Sequence, residues 1–292
     1  MKEKRAVLLL LFASFIWGTT FVVQSNAADL IPPFSYNGIR MLLGSLCLSP
    51  FLISSVKEHK NSGEFRKNII TGGVICGIEV GLACTVQQIG ISMTTAGKAG
   101  FITSLYILVV PVLSLVAGKK VSPRTWICVM FGLIGAFVLS VNGATPVNRG
   151  DLVVFTCSFI FAIHIITVDY FVGKLDGPDL SCVQFFFGGL MNLVIGLIFE
   201  ECNLQMIKSA MFNIFYSGVL SCGVAYTLQI IGQKHVQPAK ATLALSLESA
   251  WAAVSGAVFL GERMSLKELT GCVILFSAVI ISQLPEKSGK FR

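Results

Sequence analysis

Ten apolar stretches, separated by short polar connections, are the feature that most restricts how this chain can fold. Several reach about 20 residues, the length at which an α-helix crosses the hydrocarbon core of a bilayer. Mean hydropathy is +0.79, with 54% of the residues hydrophobic and 13% charged, which is more apolar than a soluble domain needs. The pattern predicts an all-α integral membrane protein with ten transmembrane helices. They cover residues 6–24, 34–55, 69–92, 97–117, 123–141, 150–171, 180–199, 209–232, 239–260 and 266–284.

The second half of the chain repeats the first. A shift of 142 residues pairs identical residues, among them Gly81 with Gly223, Thr85 with Thr227, Gln87 with Gln229, Ile89 with Ile231 and Gly90 with Gly232. Upstream the shift is 144 and downstream it is 143. Each repeat then holds five helices, an odd number, so the second copy enters the membrane in the opposite orientation. The sequence predicts two inverted five-helix repeats, residues 1–143 and 144–292.

Lysine and arginine are distributed unevenly between the predicted loops. With both chain ends in the cytoplasm, 16 of the 22 basic residues fall on the cytoplasmic side, five on the other side and one, Arg40, within a helix. Cytoplasmic loops carry such an excess. We therefore expect a multi-pass protein of the plasma (cytoplasmic) membrane with both termini inside. The first apolar run resembles a signal peptide, but it is long and lacks a small-residue cleavage site, which favours a retained helix.

Glu79 lies near the middle of the third predicted helix. A carboxylate at bilayer depth costs roughly 2.5 to 3.5 kcal/mol, so it should face protein or a water-filled cavity rather than lipid. Gly73, Gly77 and Gly81 recur every four residues on the same helix and predict close approach of a neighbouring helix. Glu79 is about 200° around the helix from that stripe.

Comparison of the two repeats selects candidate site residues. Polar residues present in one copy only are candidates for a site, whereas residues shared by both copies more often serve packing. The unequal pairs are Glu79 with Ser221, Leu105 with Glu248, Thr20 with His164 and Arg40 with Gln184. By the same reasoning Gln87 and Gln229 are predicted to be structural, with hydrogen bonds between helices.

The predicted substrate-binding residues share mid-membrane depth and polar or aromatic chemistry. They are Trp17, Arg40, Glu79, His164, Gln184 and Glu248. Glu79, His164 and Glu248 are also candidates for ion coupling, because each can change charge when its environment shifts its proton affinity. Ordinary core packing, or hydrogen bonding between helices, is the alternative for every one of them. For Arg40 the alternatives are snorkelling to the outer membrane surface or pairing with a carboxylate.

Signals for other classes of protein are weak. Eight of the nine cysteines lie in apolar runs, only Cys202 falls in a probable loop, and no C-x-x-C occurs, so we interpret them as packing residues. No H-E-x-x-H, phosphate-binding loop or nucleophile elbow is present. We expect no enzyme activity, no cofactor and no metal. The net charge of +7 reflects membrane orientation rather than nucleic-acid binding.

Several short motifs occur in order along the chain. They are Trp17-Gly18-Thr19-Thr20-Phe21, Arg40, Gly150-Asp151 followed by Phe161-Ala162, Leu247-Glu248 and Gly261-Glu262. Together they resemble the drug/metabolite transporter superfamily, in particular its EamA-type ten-helix transporters, over nearly the whole chain. Ser249 stands where that family usually has proline, so we expect any hinge there to be softened or lost. Pro111 has no counterpart in the second repeat and predicts a kink in the fourth helix.

The resemblance implies a central cavity through which small metabolites, amino acids or drugs move, commonly outward. The expected function is therefore a secondary transporter, in this family commonly an exporter, that works by alternating access around a midplane cavity. Arg40 would hold a carboxylate or phosphate group of the solute, and Trp17 its apolar part. The expected partners are a small organic solute, the lipid bilayer and, for coupling, protons; the oligomeric state is left open.

The sequence leaves four alternatives open. A facilitative permease needs no ion coupling, and a membrane-embedded enzyme would need catalytic groups converging from separate helices. A membrane sensor or assembly protein would be expected to carry a soluble domain or a long charged tail. An ion channel would be expected to carry a selectivity filter or a ring of like charges. The sequence shows neither the features expected of a sensor or assembly protein nor those expected of a channel.

Overall fold

The structure, a computed structural model, describes residues 2–140, 148–259 and 265–284. These ranges contain fourteen α-helices and one π-helical segment: α1 (Lys2–Ala28), α2 (Pro33–Glu58), α3 (Gly63–Ile91), α4 (Ala96–Thr103), α5 (Tyr106–Val116), α6 (Pro123–Ser140), α7 (Arg149–Phe171), α8 (Gly177–Phe199), α9 (Leu204–Ser209), α10 (Met211–Tyr216), the π segment (Ser217–Ala225), α11 (Tyr226–Gln233), α12 (Pro238–Leu245), α13 (Glu248–Phe259) and α14 (Leu266–Gln283). The predicted boundary at residues 143 and 144, and the Gly261-Glu262 motif, lie outside the described residues.

The helices group into ten membrane segments. Over the described ranges, nine segments are long and apolar enough to cross a membrane, and α6 is a shorter apolar helix. The fourth segment consists of α4 and α5, the eighth of α10, the π segment and α11, and the ninth of α12 and α13. The predicted fold class, an all-α membrane protein built from two inverted five-helix repeats, is confirmed.

Polar side chains fix where several of the helices begin. Asn148 and Asp151 form a reciprocal capping box at the start of α7, which satisfies two backbone donors that a helix start leaves open. The first turn of α2 has no cap of its own. Instead Glu200, at the end of α8, accepts hydrogen bonds from the backbone N–H groups of Phe34 (2.9 Å) and Ser35 (2.7 Å). Since Glu200 belongs to the other repeat, this cap also joins the repeats.

Repeat-related glycines make repeat-related contacts. A Cβ atom on Gly90 would lie 2.4 Å from Val154 Cγ2, and one on Gly232 would lie 2.7 Å from Leu10 Cδ2. Gly90 and Gly232 differ by 142 in number, and Leu10 and Val154 by 144, which are the two shifts found in the sequence. Helix α3 therefore crosses α7 in the same way as α11 crosses α1.

The glycine stripe of α3 packs against α8, as predicted. A Cβ atom on Gly73 would lie 2.9 Å from Val183 Cβ, and one on Gly77 would lie 2.8 Å from the carbonyl oxygen of Gln184. A Cβ atom on Gly81 would lie 2.8 Å from Met191 Cε and 3.1 Å from Gly188 Cα. Small residues let the two helix backbones approach within van der Waals distance, which is the main source of helix association in lipid.

The fourth and ninth segments are both interrupted near their middle. α4 ends at Thr103 and α5 begins at Tyr106, while α12 ends at Leu245 and α13 begins at Glu248. In the fourth segment the N–H of Leu105 bonds three residues back, to the carbonyl oxygen of Ile102, at 3.2 Å, so the turn is locally tightened.

Two expectations about these segments can be compared with the helix bounds. The fourth helix is interrupted at residues 104–105, whereas Pro111, which was expected to cause the kink, lies inside α5. The ninth helix is interrupted at residues 246–247 although Ser249 replaces the family's proline, so the segment breaks without that proline; that any hinge there is softened or lost stays a prediction. Both segments therefore break at nearly equivalent places of the two repeats, and no proline lies at either break.

Candidate functional site

A cavity lies between the two repeats at the centre of the bundle. It is lined by Trp17, Thr20, Phe21, Gln24, Arg40, Cys84, Gln87, Thr103, Tyr106, Phe161, His164, Ile165, Ser221, Tyr226, Gln229 and Glu248. Its volume is only about 40 Å³, enough for roughly three waters. In this conformation an organic solute fits only if the surrounding helices move.

Four of the six predicted site residues line this cavity: Trp17, Arg40, His164 and Glu248. Gln184 lies one layer behind it, fully buried, with its Oε1 atom 3.0 Å from Nε2 of His164. Gln184 therefore fixes the orientation of the imidazole rather than facing the cavity itself.

Glu79 does not line the cavity, so that prediction is corrected. Its half-buried side chain lies between α3 and α7, where Oε1 accepts a hydrogen bond of 2.9 Å from Oγ1 of Thr167. The face of α3 that lines the cavity carries Cys84, which is about 140° around the helix from Glu79. Glu79 therefore bonds to protein, as expected, and its partner is Thr167 on the neighbouring helix α7 rather than a group in the cavity. Its rotation about α3, which the packing on α8 decides, keeps it outside the cavity.

Arg40 places a positively charged side chain in the cavity wall, and only 2% of its surface is exposed. Its Nε donates a 2.8 Å hydrogen bond to Oδ1 of Asn37, and its Cζ lies 5.1 Å from the ring centroid of Tyr36. Within the described ranges no carboxylate oxygen lies within 4 Å of its guanidinium. Arg40 therefore neither snorkels to the membrane surface nor pairs with a described carboxylate.

The π segment packs directly behind Arg40. A Cβ atom on Gly218 would lie 2.8 Å from the carbonyl oxygen of Arg40. One residue earlier, Ser217 Oγ lies 2.6 Å from the hydroxyl of Tyr36. The wider π turn thus brings this part of the eighth segment against the part of α2 that presents the guanidinium.

Glu248 stands at the start of α13, at the break in the ninth segment. Its side chain is buried, and Oε1 accepts a hydrogen bond of 2.9 Å from the hydroxyl of Tyr106, the first residue of α5. The two interrupted segments therefore meet at this bond. Gly18 brings α1 to the same place, because a Cβ atom there would lie 2.8 Å from the carbonyl oxygen of Glu248.

Aromatic rings form another part of the wall. The centroids of Trp17 and Tyr226 are 4.6 Å apart, and those of His164 and Tyr226 are 6.1 Å apart. The Tyr226 hydroxyl lies 3.5 Å from Sγ of Cys84, a residue interpreted from sequence as packing alone. The Nε1 donor of Trp17 is buried and has no protein partner among the described residues. This wall offers an apolar surface together with a hydrogen-bond donor.

One end of the cavity is closed by what we call the first amide cluster: Gln24, Gln87 and Gln88. Nε2 of Gln24 lies 3.3 Å from Oε1 of Gln87 and 3.1 Å from Oε1 of Gln88. Nε2 of Gln88 donates in turn to the backbone oxygen of Gln24 at 2.9 Å. The cluster joins α1 to the end of α3.

The other end is closed by the second amide cluster: Gln229 and Gln233. Nε2 of Gln229 donates to Oε1 of Gln233 at 2.9 Å, and Nε2 of Gln233 donates to the backbone oxygen of Ile165 at 3.1 Å. This cluster joins α11 to α7. Because α3 corresponds to α11 and α1 to α7 in the duplication, the two clusters close opposite ends of the cavity.

A second, wider cavity lies beyond the second amide cluster, and we call it the vestibule. Its volume is about 540 Å³, and it lies where α5, α7 and α11 end. Lys119, Lys120, Asp169, Gln233 and Lys234 are among its lining residues, and Lys119 forms an ion pair with Asp169. Gln233 lines the vestibule and bonds to Gln229 in the central cavity, so one layer of amides separates the two.

Sequence reasoning missed several of the lining residues. Gln24 was not singled out, although Trp17, Thr20 and Gln24 have the i, i+3, i+7 spacing of one helix face, and this spacing could have revealed it. Gln87 was predicted to bond between helices, and its Nε2 does donate to Thr103 Oγ1 at 3.1 Å. The same prediction for Gln229 is wrong, because its bond stays within α11.

The ten-segment fold around a central polar cavity is that of a multi-pass membrane protein. A profile of the EamA-like transporter family matches residues 4–141 and again residues 148–283. The chain therefore belongs to the EamA-like transporter family, within the drug/metabolite transporter superfamily, and the resemblance in its motifs is confirmed.

Individual relatives agree with this assignment. An "Uncharacterized transporter" of Archaeoglobus fulgidus is 27% identical over 285 residues, covering 97% of this chain and 87% of that protein. The "Uncharacterized transporter YoaV" of Bacillus subtilis is 22% identical over 287 residues, covering 95% of this chain and 96% of that protein. A solved structure titled "Crystal structure of protein" superimposes with a TM-score of 0.76 at 16% identity, covering 96% of this chain and 97% of that one; this likeness shows the fold alone.

Proposed function

We propose that the protein is a secondary transporter that exports small organic solutes across the plasma membrane by alternating access. The central observation is the polar cavity between the two repeats, closed at each end by an amide cluster. Transporters built from inverted repeats bind solute near the midplane and expose it to each side in turn. The small room inside the cavity corresponds to a state in which neither side is open.

The amide clusters are suited to act as the two barriers. A glutamine side chain that leaves its protein partner in a polar, water-filled passage bonds to water instead, so breaking such a cluster costs little. Inter-helix hydrogen bonds in membranes contribute on average only about 0.6 kcal/mol. We assign the first cluster to the extracellular barrier and the second cluster to the cytoplasmic one.

The vestibule supports the proposed direction of transport. It lies on the face to which the excess of basic loops is assigned, and that face is cytoplasmic by the positive-inside rule. A solute from the cytoplasm would enter the vestibule and meet a single layer formed by Gln229 and Gln233. Opening that layer admits it to the central cavity, from which release past Gln24, Gln87 and Gln88 completes export.

For proton coupling we propose Glu248 as the first candidate and His164 as the second. Glu248 lies in the cavity at the contact between the two interrupted segments, so its charge acts where those segments move. His164 lines the cavity but is held by Gln184. Glu79, the third sequence candidate, lies outside the cavity. A facilitative permease is the alternative, and it would keep its transport rate when Glu248 is neutralised.

Untargeted analysis of the growth medium tests the proposal for solutes of any structure. Cells that overproduce the protein should release a set of solutes that cells producing Trp17→Ala or Tyr226→Ala release at least about tenfold less. Trp126→Ala is the matched control, because Trp126 lies on α6 and does not line the cavity; it should behave as the unaltered protein. Equal release by all four proteins at equal membrane abundance would contradict the proposal.

A further inference from the structure

We propose that the transported solute carries a carboxylate and that Arg40 binds it in the central cavity. This inference rests on the proposed transport function and names the class of solute. It follows from the placement, the surroundings and the charge of one buried guanidinium.

The guanidinium is held in place before any solute arrives. Its Nε is bonded to Oδ1 of Asn37 at 2.8 Å, and Nδ2 of Asn37 is bonded to the backbone oxygen of Pro33 at 2.9 Å. The ring of Tyr36 lies 5.1 Å from its Cζ. The thiol of Cys84 also hydrogen-bonds to the guanidinium, and the Nη donors that Asn37 and Cys84 leave are the part that can bind a partner in the cavity. A fixed guanidinium presents two parallel donors that match the two oxygens of a carboxylate.

The positive charge of Arg40 has no direct counter-charge among the described residues. The ion pairs found within those ranges are made by lysines instead. Glu248 shares the cavity with Arg40, but its Oε1 bonds to Tyr106. A buried cation without an anion beside it is costly, and an anionic ligand that enters the cavity relieves that cost. The energy that makes the empty site unfavourable thus favours binding of an anion.

The rest of the cavity wall favours a solute whose remaining part is apolar. Trp17 and Tyr226 provide an aromatic surface close to Arg40, since all three line the same small cavity. The position equivalent to Arg40 in the second repeat is Gln184, which is neutral and already bonded to His164. The fixed positive charge of the described cavity wall therefore lies at Arg40, away from the Glu248–Tyr106 contact, and it can pair with one carboxylate of a solute. An organic monocarboxylate with an apolar body fits these features better than a dianion or a cation does.

Matched pairs of acids and amides test this inference directly. The full chain, purified in lipid nanodiscs, is titrated with benzoate and benzamide, phenylacetate and phenylacetamide, and hexanoate and hexanamide, and its thermal unfolding is followed. Within each pair the shape is nearly the same and only the charge differs. We expect acids to raise the unfolding temperature and the amides to have little effect.

Three variants link the response to Arg40. Arg40→Gln should weaken acid binding at least about tenfold, as expected for loss of a charge-assisted bidentate contact, while Arg40→Lys should retain part of it. Lys67→Gln removes the same charge from an exposed position and should change nothing. If Arg40→Gln does not fold, Glu248→Gln provides the second test, since removing the negative charge from the cavity should strengthen acid binding severalfold.

The outcomes separate this inference from the proposed function. Equal responses to acid and amide in every pair, including no response to either, would overturn the carboxylate assignment. So would Arg40→Gln binding acids as the unaltered protein does. If the analysis of the growth medium finds that only neutral or cationic solutes are exported, the proposed transport function is supported and the carboxylate assignment is wrong. If nothing is exported, the proposed function itself fails, whatever binds in the nanodisc.

Discussion

The two repeats are most alike where helices cross and most different where they face the central cavity. Gly90 and Gly232 close equivalent crossings, α3 with α7 and α11 with α1. At the cavity the repeats diverge: Arg40 of the first corresponds to neutral Gln184 of the second, and Glu248 of the second corresponds to Leu105 of the first. A symmetric scaffold thus carries an asymmetrically charged site. Duplication provides the equivalent helix crossings, and divergence places the charges at the cavity.

Gln87 and Gln229 show the limit of that comparison. They are identical and repeat-related, so symmetry predicts a structural role, yet both line the cavity. Gln87 bonds to α4 and α1, whereas Gln229 bonds along its own helix to Gln233. Equivalent positions at opposite ends of the cavity can therefore serve the same task, closing it, through different partners.

The largest effect is expected at the symmetric helix crossings. Gly90→Leu and Gly232→Leu should each prevent accumulation of monodisperse protein, because even a Cβ atom would lie within 2.7 Å of the facing helix at both positions. Overpacking of this kind costs about 1 to 3 kcal/mol or more. Gly97→Leu is the control, since nothing lies within 4 Å of a Cβ there. Size-exclusion profiles of fluorescent fusions measure the outcome. If only one of the two substitutions is tolerated, the two helix crossings are not equivalent.

The next effect concerns the asymmetric charges. Glu248→Gln should lower export of the solutes identified in the medium by about tenfold and flatten its dependence on pH. Glu79→Gln should leave both within about twofold, because Glu79 lies outside the cavity and bonds to Thr167. Rates in reconstituted liposomes at several pH values provide the measurement. Similar losses in the two variants would show that position in the cavity does not distinguish these carboxylates.

A smaller effect is expected at the two barriers. Gln233→Ala should increase labelling of Cys84 by a membrane-impermeant thiol reagent added from the cytoplasmic side about threefold, and Gln24→Ala should do so from the extracellular side. The threefold factor corresponds to about 0.6 kcal/mol, the mean contribution of one inter-helix hydrogen bond; each substitution removes two side-chain bonds, so threefold is the least that we expect. Cys84 lines the cavity between the clusters, and peptide mass spectrometry separates it from the other cysteines. Labelling that rises from the wrong side in both variants would reverse the assigned orientation.

The smallest effect is expected from the ion pair at the vestibule. Lys119→Gln removes the partner of Asp169, but 43% of the lysine side chain is exposed, and exposed ion pairs contribute at most about 1 kcal/mol. Unfolding temperature and export should therefore change little. A loss of export comparable with that of Glu248→Gln would mean that this pair controls entry to the vestibule.

Much of the fold and part of the site follow from the sequence. Trp17 was selected for its depth in the first helix. Arg40, His164 and Glu248 were selected because they lie at bilayer depth, where a polar residue is costly wherever it faces lipid, and because the other repeat has a different residue at each position. Glu79 has the same depth and the same cost, but it meets that cost by bonding to Thr167 on a neighbouring helix. Depth alone does not distinguish a carboxylate that faces the cavity from one that bonds to a neighbouring helix, since both arrangements keep the carboxylate away from lipid.

The sequence by itself determined the number of membrane segments, their inverted duplication and the family, because the bilayer sets the length of each apolar run and duplication leaves identities at fixed shifts. The tertiary structure decided how each helix is rotated about its axis and where it breaks. Rotation depends on which small residues meet across a crossing, as at Gly77 against α8, and such contacts join residues far apart in the chain. This packing turns Cys84 and Gln24 toward the cavity, places Gln184 behind His164 and brings Tyr106 to Glu248.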